Sequence, residues 1–184
     1  MLEQEVFFMK KWIGMSVVLI LIIALAWNIF GKQKESVYGI TNEGTGLEIG
    51  DMPPQFTLQN LEGEDVNLED FKGQKVILNF WATWCEPCRE EMPLFEQIDQ
   101  TNDDVTVLAV NMAPQDSGVE KVQQFMQKQG LTFNVVRDEL GDVSKAYKVV
   151  NIPSTYFLDE KGNIQSKVLG VVDETSLVEH LKLK

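Results

Sequence analysis

The chain is poor in the side chains that most often bind metals. Its 184 residues include two cysteines and one histidine. A structural zinc site takes four ligands of the Cys or His type, so Cys85, Cys88 and His180 do not complete one. Covalent haem needs a histidine directly after the second cysteine of C-x-x-C, and Arg89 stands there. We therefore expect neither a metal ion nor any other cofactor.

Positive charge is also scarce. Lys and Arg number 16 against 28 Asp and Glu, which gives a formal net charge of −12. Non-specific binding of nucleic acid depends on clustered Lys and Arg that neutralise phosphates. The composition therefore excludes nucleic acid as an expected partner.

One long segment near the N-terminus lacks charge altogether. Residues 13–30, IGMSVVLILIIALAWNIF, are 18 residues without a charged side chain. As a helix they are just long enough to cross a bilayer core of roughly 30 Å. We therefore predict a signal-anchor with one transmembrane helix in residues 1–35. Lysines flank both ends, so the positive-inside rule does not decide the orientation.

Two alternatives concern this segment. The sequence ALA at 24–26 fits a small-x-small cleavage pattern, and cleavage after Ala26 would release a soluble protein. We favour an uncleaved anchor because the apolar run continues through Ile29 and Phe30. Met9, which opens MKKW, is an alternative start of the chain.

The remainder of the chain divides into a linker, 36–50, and a domain, 51–184. The linker is rich in Gly and polar residues. In the domain, apolar strands alternate with amphipathic helices, which predicts an α/β fold with a mixed central sheet. The predicted order is an N-terminal β-hairpin followed by β-α-β-α-β-α-β-β-α. We expect Pro93 to kink the first helix and Ser117 to cap the second.

The two cysteines stand in WCEPC, between a buried strand, 75–82, and the start of a helix. Unpaired N–H groups and the positive end of the dipole stabilise a thiolate at that position. Cys85 is therefore predicted to be the attacking thiolate, and Cys88 to resolve the mixed disulfide. Pro87 pre-sets the first turn. The alternative is a purely structural disulfide, which would close a very short loop and contribute little chain entropy.

The motif NFWATWCEPC, Pro93 and IPSTYFLD at 152–159 resemble the thioredoxin superfamily. The stretch from Met52 to Pro93 is similar, more closely, to the membrane-anchored thiol-disulfide oxidoreductases of the ResA/TlpA type. The resemblance covers about residues 47–184. It implies a thioredoxin-like fold with an N-terminal β-hairpin and a helix-strand insertion at 117–137.

The resemblance also implies roles for individual residues. Cys85 and Cys88 match the active-site pair, which forms a disulfide when oxidised. Pro153 matches the cis-proline that lies beside the cysteines, and the backbone of Ile152 would face the substrate peptide. Trp84 matches the aromatic residue that flanks the cleft.

The sequence departs from thioredoxins at Asn79, where they carry a buried aspartate that handles a proton. Asn79 cannot take up a proton, and Glu91, three residues after Cys88, is the candidate replacement. Resemblance to ResA-like proteins implies that a half-buried Glu91 controls the cysteine pKa values. Glu86, between the cysteines, is a candidate for tuning them or for selecting substrate.

These observations favour a thiol-disulfide oxidoreductase that is tethered to the cell membrane and faces the extracytoplasmic side. The resemblance implies reduction of apocytochrome c disulfides in cytochrome c maturation, with electrons from a membrane thiol donor. Alternatives are a related reductase that acts on exported proteins of the spore cortex, a disulfide oxidase or isomerase, and a non-catalytic binding module. A peroxidase is disfavoured, because peroxiredoxins place Thr or Ser at the position of Ala82.

Overall fold

The structure is a computed structural model, and it describes Ile40 and residues 45–181. The predicted membrane segment, 13–30, and most of the predicted linker lie outside the described residues. Within the part of the chain that is described, no helix is both long and apolar enough to cross a membrane.

One mixed sheet of seven strands forms the centre of the fold. In chain order the strands are β1 Thr57–Asn60, β2 Asp65–Asn67, β3 Lys75–Trp81, β4 Val105–Asn111, β5 Asn134–Arg137, β6 Ser154–Leu158 and β7 Ile164–Leu169. Their order across the sheet is β2-β1-β5-β4-β3-β6-β7. Strands β3, β4 and β5 run parallel, whereas β1, β2, β6 and β7 pair with their neighbours in antiparallel fashion.

Helices cover both faces of this sheet. The described α-helices are α1 Glu86–Thr101, α2 Val119–Gln129, α3 Asp142–Ala146 and α4 Glu174–Leu181. Buried side chains of α1, α2 and α4 share one apolar core, and those of α3 belong to a second core on the opposite face. The predicted order of strands and helices is therefore confirmed, including the hairpin β1-β2 and the insertion formed by α2 and β5.

Strand β3 shows why the site lies where it does. Successive side chains of a strand point to opposite faces. Ile77 and Trp81 accordingly pack in the core that α1 covers, whereas Leu78 and Phe80 pack in the other. Asn79 shares the face of Ile77 and Trp81, and it is fully buried there. A polar group is thus placed beneath α1 in an otherwise apolar strand.

Helix α2 begins differently from the prediction. Gly118 occupies the cap position with φ 91° and ψ 162°, and no side chain caps the helix. Ser117, the predicted cap, instead donates its backbone N–H to Asp116 Oδ1 at 2.8 Å. The prediction was wrong because the backbone reaches the helix through a positive φ that glycine adopts readily. Pro93, where we expected a kink, lies inside α1.

Candidate active site

Cys85 and Cys88 form a disulfide at the start of α1, with a Cα–Cα distance of 5.3 Å. Cys85 is the capping residue of the helix, and its Sγ accepts a hydrogen bond from the N–H of Cys88 at 3.3 Å. Pro87 lies in the first turn, where its missing N–H would have no helical partner. Since this end of a helix favours negative charge, the position favours a thiolate on Cys85 after reduction.

The two cysteines differ in their access to solvent. Cys85 retains 3% of its surface, whereas Cys88 retains none. Around them, Glu86, Pro87 and Arg89 are exposed. Cys85 thus keeps a small exposed surface beside exposed neighbours, whereas Cys88 has none. The attacking role of Cys85 and the resolving role of Cys88 stay predictions.

Two further predicted site residues lie at the same end of the sheet. The peptide bond between Ile152 and Pro153 is cis. The next residue, Ser154, pairs with Phe80 near the end of β3, from which the chain continues to Cys85. Pro153 O accepts a hydrogen bond from Gly170 N at 2.9 Å. The fold thus brings Ile152 and Pro153 to the end of the sheet at which the cysteines lie.

Trp84 stands directly before the disulfide, and 57% of its surface is exposed. Its indole N–H donates to the carbonyl oxygen of Gln115 at 2.6 Å. A hydrogen bond at one edge of the ring fixes its orientation and leaves the rest of the ring open to solvent. Trp84 thus lies beside the disulfide with an exposed ring, and its role at the substrate cleft stays a prediction.

Glu91 is more deeply buried than we expected, with 2% of its surface exposed. Its Oε1 accepts a hydrogen bond from Asn79 Nδ2 at 2.8 Å, and its Oε2 accepts one from Val172 N at 2.9 Å. Burial raises the pKa of Glu91 from 4.5 to about 7, although both hydrogen bonds act to lower it. Glu91 can therefore gain or lose a proton near neutral pH, on the helical face that carries Cys88.

Asn79 connects Glu91 to the neighbouring strand. Its Nδ2 also donates to Thr155 Oγ1 at 3.0 Å, and Thr155 lies directly opposite Asn79 in the pairing of β3 with β6. Both side chains are fully buried. Asn79 therefore holds the carboxyl of Glu91 in place as a hydrogen-bond donor, where an aspartate would compete for the same proton.

Two polar residues of the site were missed from the sequence. Thr155 could have been suspected as a polar position inside an apolar strand. Asp116 accepts hydrogen bonds from the N–H and the hydroxyl of Thr83, two residues before Cys85. No local pattern marks Asp116, because its partner is distant in sequence. In the described residues we find no group of three or more His, Cys, Asp or Glu side chains that could hold a metal ion.

A family model supplies the classification. The model of the AhpC/TSA family matches residues 49–167. The chain belongs to the AhpC/TSA family. This match contains strands β1 to β6 and the first four residues of β7, and it includes the cysteines and the cis-proline.

Among the relatives of this AhpC/TSA protein are proteins named thiol-disulfide oxidoreductases. It is 36% identical to the thioredoxin-like protein YneN of Bacillus subtilis, over 95% of this chain and 99% of the relative. The chain is 33% identical to the thiol-disulfide oxidoreductase ResA of Geobacillus thermodenitrificans, over 90% of this chain and 91% of the relative. It is 35% identical to the sporulation thiol-disulfide oxidoreductase A of Bacillus subtilis, over 70% of this chain and 78% of the relative.

Solved structures agree with these relatives. StoA from Bacillus subtilis superposes with a TM-score of 0.61 and 35% identity, over 70% of this chain and 96% of that one. A thiol:disulfide interchange protein of the DsbE type from Chlorobium tepidum gives a TM-score of 0.66 and 28% identity, over 74% and 99%. The thioredoxin-like α/β fold is confirmed. The chain is a thiol-disulfide oxidoreductase of the ResA/StoA type.

Proposed function

We propose that the chain is a membrane-anchored reductase that opens disulfides of exported proteins on the extracytoplasmic side of the cell membrane. The observation that carries the proposal is the Cys85–Cys88 disulfide at the start of α1, with the buried Glu91 on the same helix. The uncharged segment 13–30 supports the anchor, because its length fits a bilayer core.

The chemistry transfers two electrons from the dithiol to the substrate. The Cys85 thiolate attacks one sulfur of the substrate disulfide, which forms a mixed disulfide and releases a substrate thiolate. Cys88 then loses its proton and attacks Cys85 Sγ, which releases the second substrate thiolate and closes the Cys85–Cys88 disulfide. The released thiolates take up protons. A membrane-embedded dithiol donor then reduces Cys85–Cys88 and is itself oxidised.

Glu91 has a role in the second step. The buried thiol of Cys88 loses a proton as it attacks, and an ionised carboxylate on the same helical face can take it up. With its pKa raised to about 7 by burial, Glu91 is present in both protonation states near neutral pH. The carboxylate also opposes negative charge on the cysteines, which raises their pKa values.

The proposed substrate is the C-x-x-C-H disulfide of apocytochrome c, reduced so that haem can attach. The resemblance to ResA-like proteins supports this choice. A second candidate is a protein of spore-cortex assembly, because identity to the sporulation oxidoreductase is 35%, similar to that to ResA. Both substrates present an exported disulfide to the same pair of cysteines.

Trapping of the mixed disulfide tests the proposal. In the Cys88→Ala variant of the full chain, Cys85 attacks but the mixed disulfide cannot resolve. We expect an exported protein to remain bound until a reductant releases it, and mass spectrometry then identifies it. The variant that lacks both cysteines is the control. Apocytochrome c supports the first substrate and a spore protein the second, whereas the absence of any trapped exported protein contradicts the reductase.

The direction of electron transfer and the location of the protein are tested by separate experiments. A reduction potential above that of the surrounding disulfide-forming system would favour an oxidase instead. For the anchor, we expect the protein to stay in the membrane fraction in alkaline carbonate, and its domain to be removed by protease added to intact protoplasts. A soluble chain that begins at Trp27 would contradict the anchor.

A further inference from the structure

The turn that presents Cys85 is attached to the segment that leads into α2. Asp116 Oδ2 accepts the backbone N–H of Thr83 at 2.6 Å, and Asp116 Oδ1 accepts the Thr83 hydroxyl at 2.5 Å. One carboxylate therefore binds both donors of a residue that precedes Cys85 by two positions. Such a two-point contact fixes orientation as well as distance.

Asp116 is itself held in place. Its carboxylate also accepts hydrogen bonds from Asn111 Nδ2 at 2.8 Å and from Ser117 N at 2.8 Å. Burial raises the pKa of Asp116, but the hydrogen bonds from Thr83, Asn111 and Ser117 outweigh this effect and leave the pKa below its usual value. The carboxylate is therefore ionised at neutral pH, the state in which it accepts all four hydrogen bonds.

Two contacts beside Asp116 reinforce the attachment. Trp84, the next residue of the turn, donates its indole N–H to Gln115 O at 2.6 Å. The guanidinium of Arg89 lies 5.8 Å from the centre of the Phe125 ring on α2. The residues before and after the cysteines are thus both attached to the segment 115–125, which leads into α2 and contains its first two turns.

We propose that Asp116 is a positioning residue for thiol-disulfide exchange: through Thr83 it holds Cys85 at the start of α1, in place to pair with Cys88. The turn from Ala82 to Cys85 is short, with Cys85 N donating to Ala82 O at 3.1 Å. A displacement of Thr83 therefore moves Cys85. With the contact intact, the two thiols of the reduced protein stay close and their effective concentration is high.

The equilibrium of the full chain with reduced and oxidised glutathione tests this inference, read from the mass added when free thiols are alkylated. In Asp116→Asn and in Thr83→Val we expect the equilibrium constant for closing Cys85–Cys88 to fall about tenfold, the size expected for losing a charge-assisted hydrogen bond. Thr83→Ser keeps the hydroxyl and should restore the parent value. Asp159→Asn is the matched control, because Asp159 accepts two backbone N–H groups in the turn between β6 and β7, at the opposite end of the sheet.

A variant that carries both Asp116→Asn and Thr83→Val distinguishes an effect of positioning from an effect of charge. Asp116→Asn also removes a negative charge, whereas Thr83→Val leaves the charge in place. If Asp116 acts through Thr83, the double variant shifts the equilibrium no further than the larger single change. Additive effects, a parent-like Thr83→Val, or an equal shift in Asp159→Asn would each overturn the inference. Because glutathione replaces the protein substrate, the result does not depend on the physiological substrate proposed above.

Discussion

Glu91 shows how burial gives an ordinary side chain a chemical role. The residue has 2% of its surface exposed, and desolvation of the charged form is the largest cause of the raised pKa of its carboxyl. Asn79 and Val172 donate to its two oxygens, which limits that rise. The balance leaves the pKa at about 7, where a proton can move in either direction under ordinary conditions.

Substitution of Glu91 by Gln should change the titration of the cysteines. We expect the thiol pKa values of the reduced protein to fall, because the variant lacks the carboxylate that opposes thiolate charge. The inflection near pH 7 that the titration of Glu91 contributes to the curve of thiol reactivity against pH should also disappear. The rate of alkylation by iodoacetamide, measured from about pH 5 to pH 10, reports both effects, since the thiolate is the reactive form.

Glu90→Gln provides the matched control for that titration. Glu90 precedes Glu91 on the same helix but is exposed. An exposed carboxylate interacts with the thiolates through water and salt, so its removal should have a much smaller effect. Equal titration curves for the two variants would contradict a specific role for Glu91.

The sequence was informative for residues of the site that lie close together along the chain. Cys85, Cys88 and Glu91 share one helix, and helical spacing alone predicts that Glu91 and Cys88 lie on one face. The resemblance to thioredoxins, which carry an aspartate at that position, singled out Asn79. Thr155 could not be paired with Asn79 without the register of β3 and β6, which depends on tertiary packing.

At the level of elements, the segment 115–137, which contains α2 and β5, is attached at two places along α1. At the start of the helix, Asp116 binds the turn that precedes α1, and the guanidinium of Arg89 on α1 lies over the ring of Phe125 on α2. Farther along α1, Glu96 accepts hydrogen bonds from the N–H and the hydroxyl of Thr132, both at 2.7 Å. The first attachment lies beside the cysteines, whereas the second lies roughly 10 Å beyond Arg89 along the helix.

The second attachment should support stability without affecting redox chemistry. In Glu96→Gln the charge that strengthens both bonds to Thr132 is lost, so we expect the free energy of unfolding to fall by about 1–2 kcal/mol. Urea unfolding measures this loss, and Glu90→Gln on the same helix is the control. The glutathione equilibrium of Cys85–Cys88 should stay at the parent value. A shift of that equilibrium would show that the two attachments act as one unit.

The order of elements could be predicted because β3 and β4 are continuous apolar runs and the helices carry apolar stripes. Details that depend on backbone angles could not be predicted in this way. Gly118 caps α2 through a positive φ, and no residue pattern distinguished it from Ser117 as the cap. A short 3₁₀ helix at Leu68–Phe71 was likewise not predicted, since four residues give too short a pattern to read.

The whole molecule carries an excess of negative charge that its ion pairs do not neutralise. The chain has a formal net charge of −12. In each of the four ion pairs of the described residues, at least one partner has more than 40% of its side chain exposed. Exposed pairs contribute only about 0–1 kcal/mol each, so we expect repulsion among the remaining carboxylates to outweigh them.

Salt should therefore stabilise the protein. We expect the urea midpoint to rise between about 0.01 M and 0.1 M NaCl, where the Debye length falls from roughly 30 Å to 10 Å and repulsion is screened. Urea is the appropriate denaturant because it is uncharged. A midpoint that falls with salt would show that attractive pairs dominate instead.

Glu91 also makes the stability of the whole molecule depend on pH, and the sign follows from its raised pKa. Between pH 4.5 and about 7 the folded state holds a proton that the unfolded state has lost. The stabilisation is therefore complete below about pH 4.5 and is lost as pH rises to 7, a change of roughly 3 kcal/mol. In Glu91→Gln this contribution is absent. The unfolding free energy of the variant minus that of the parent, measured on the oxidised proteins, should thus rise across this window and level off above it; a difference independent of pH would show that Glu91 titrates normally.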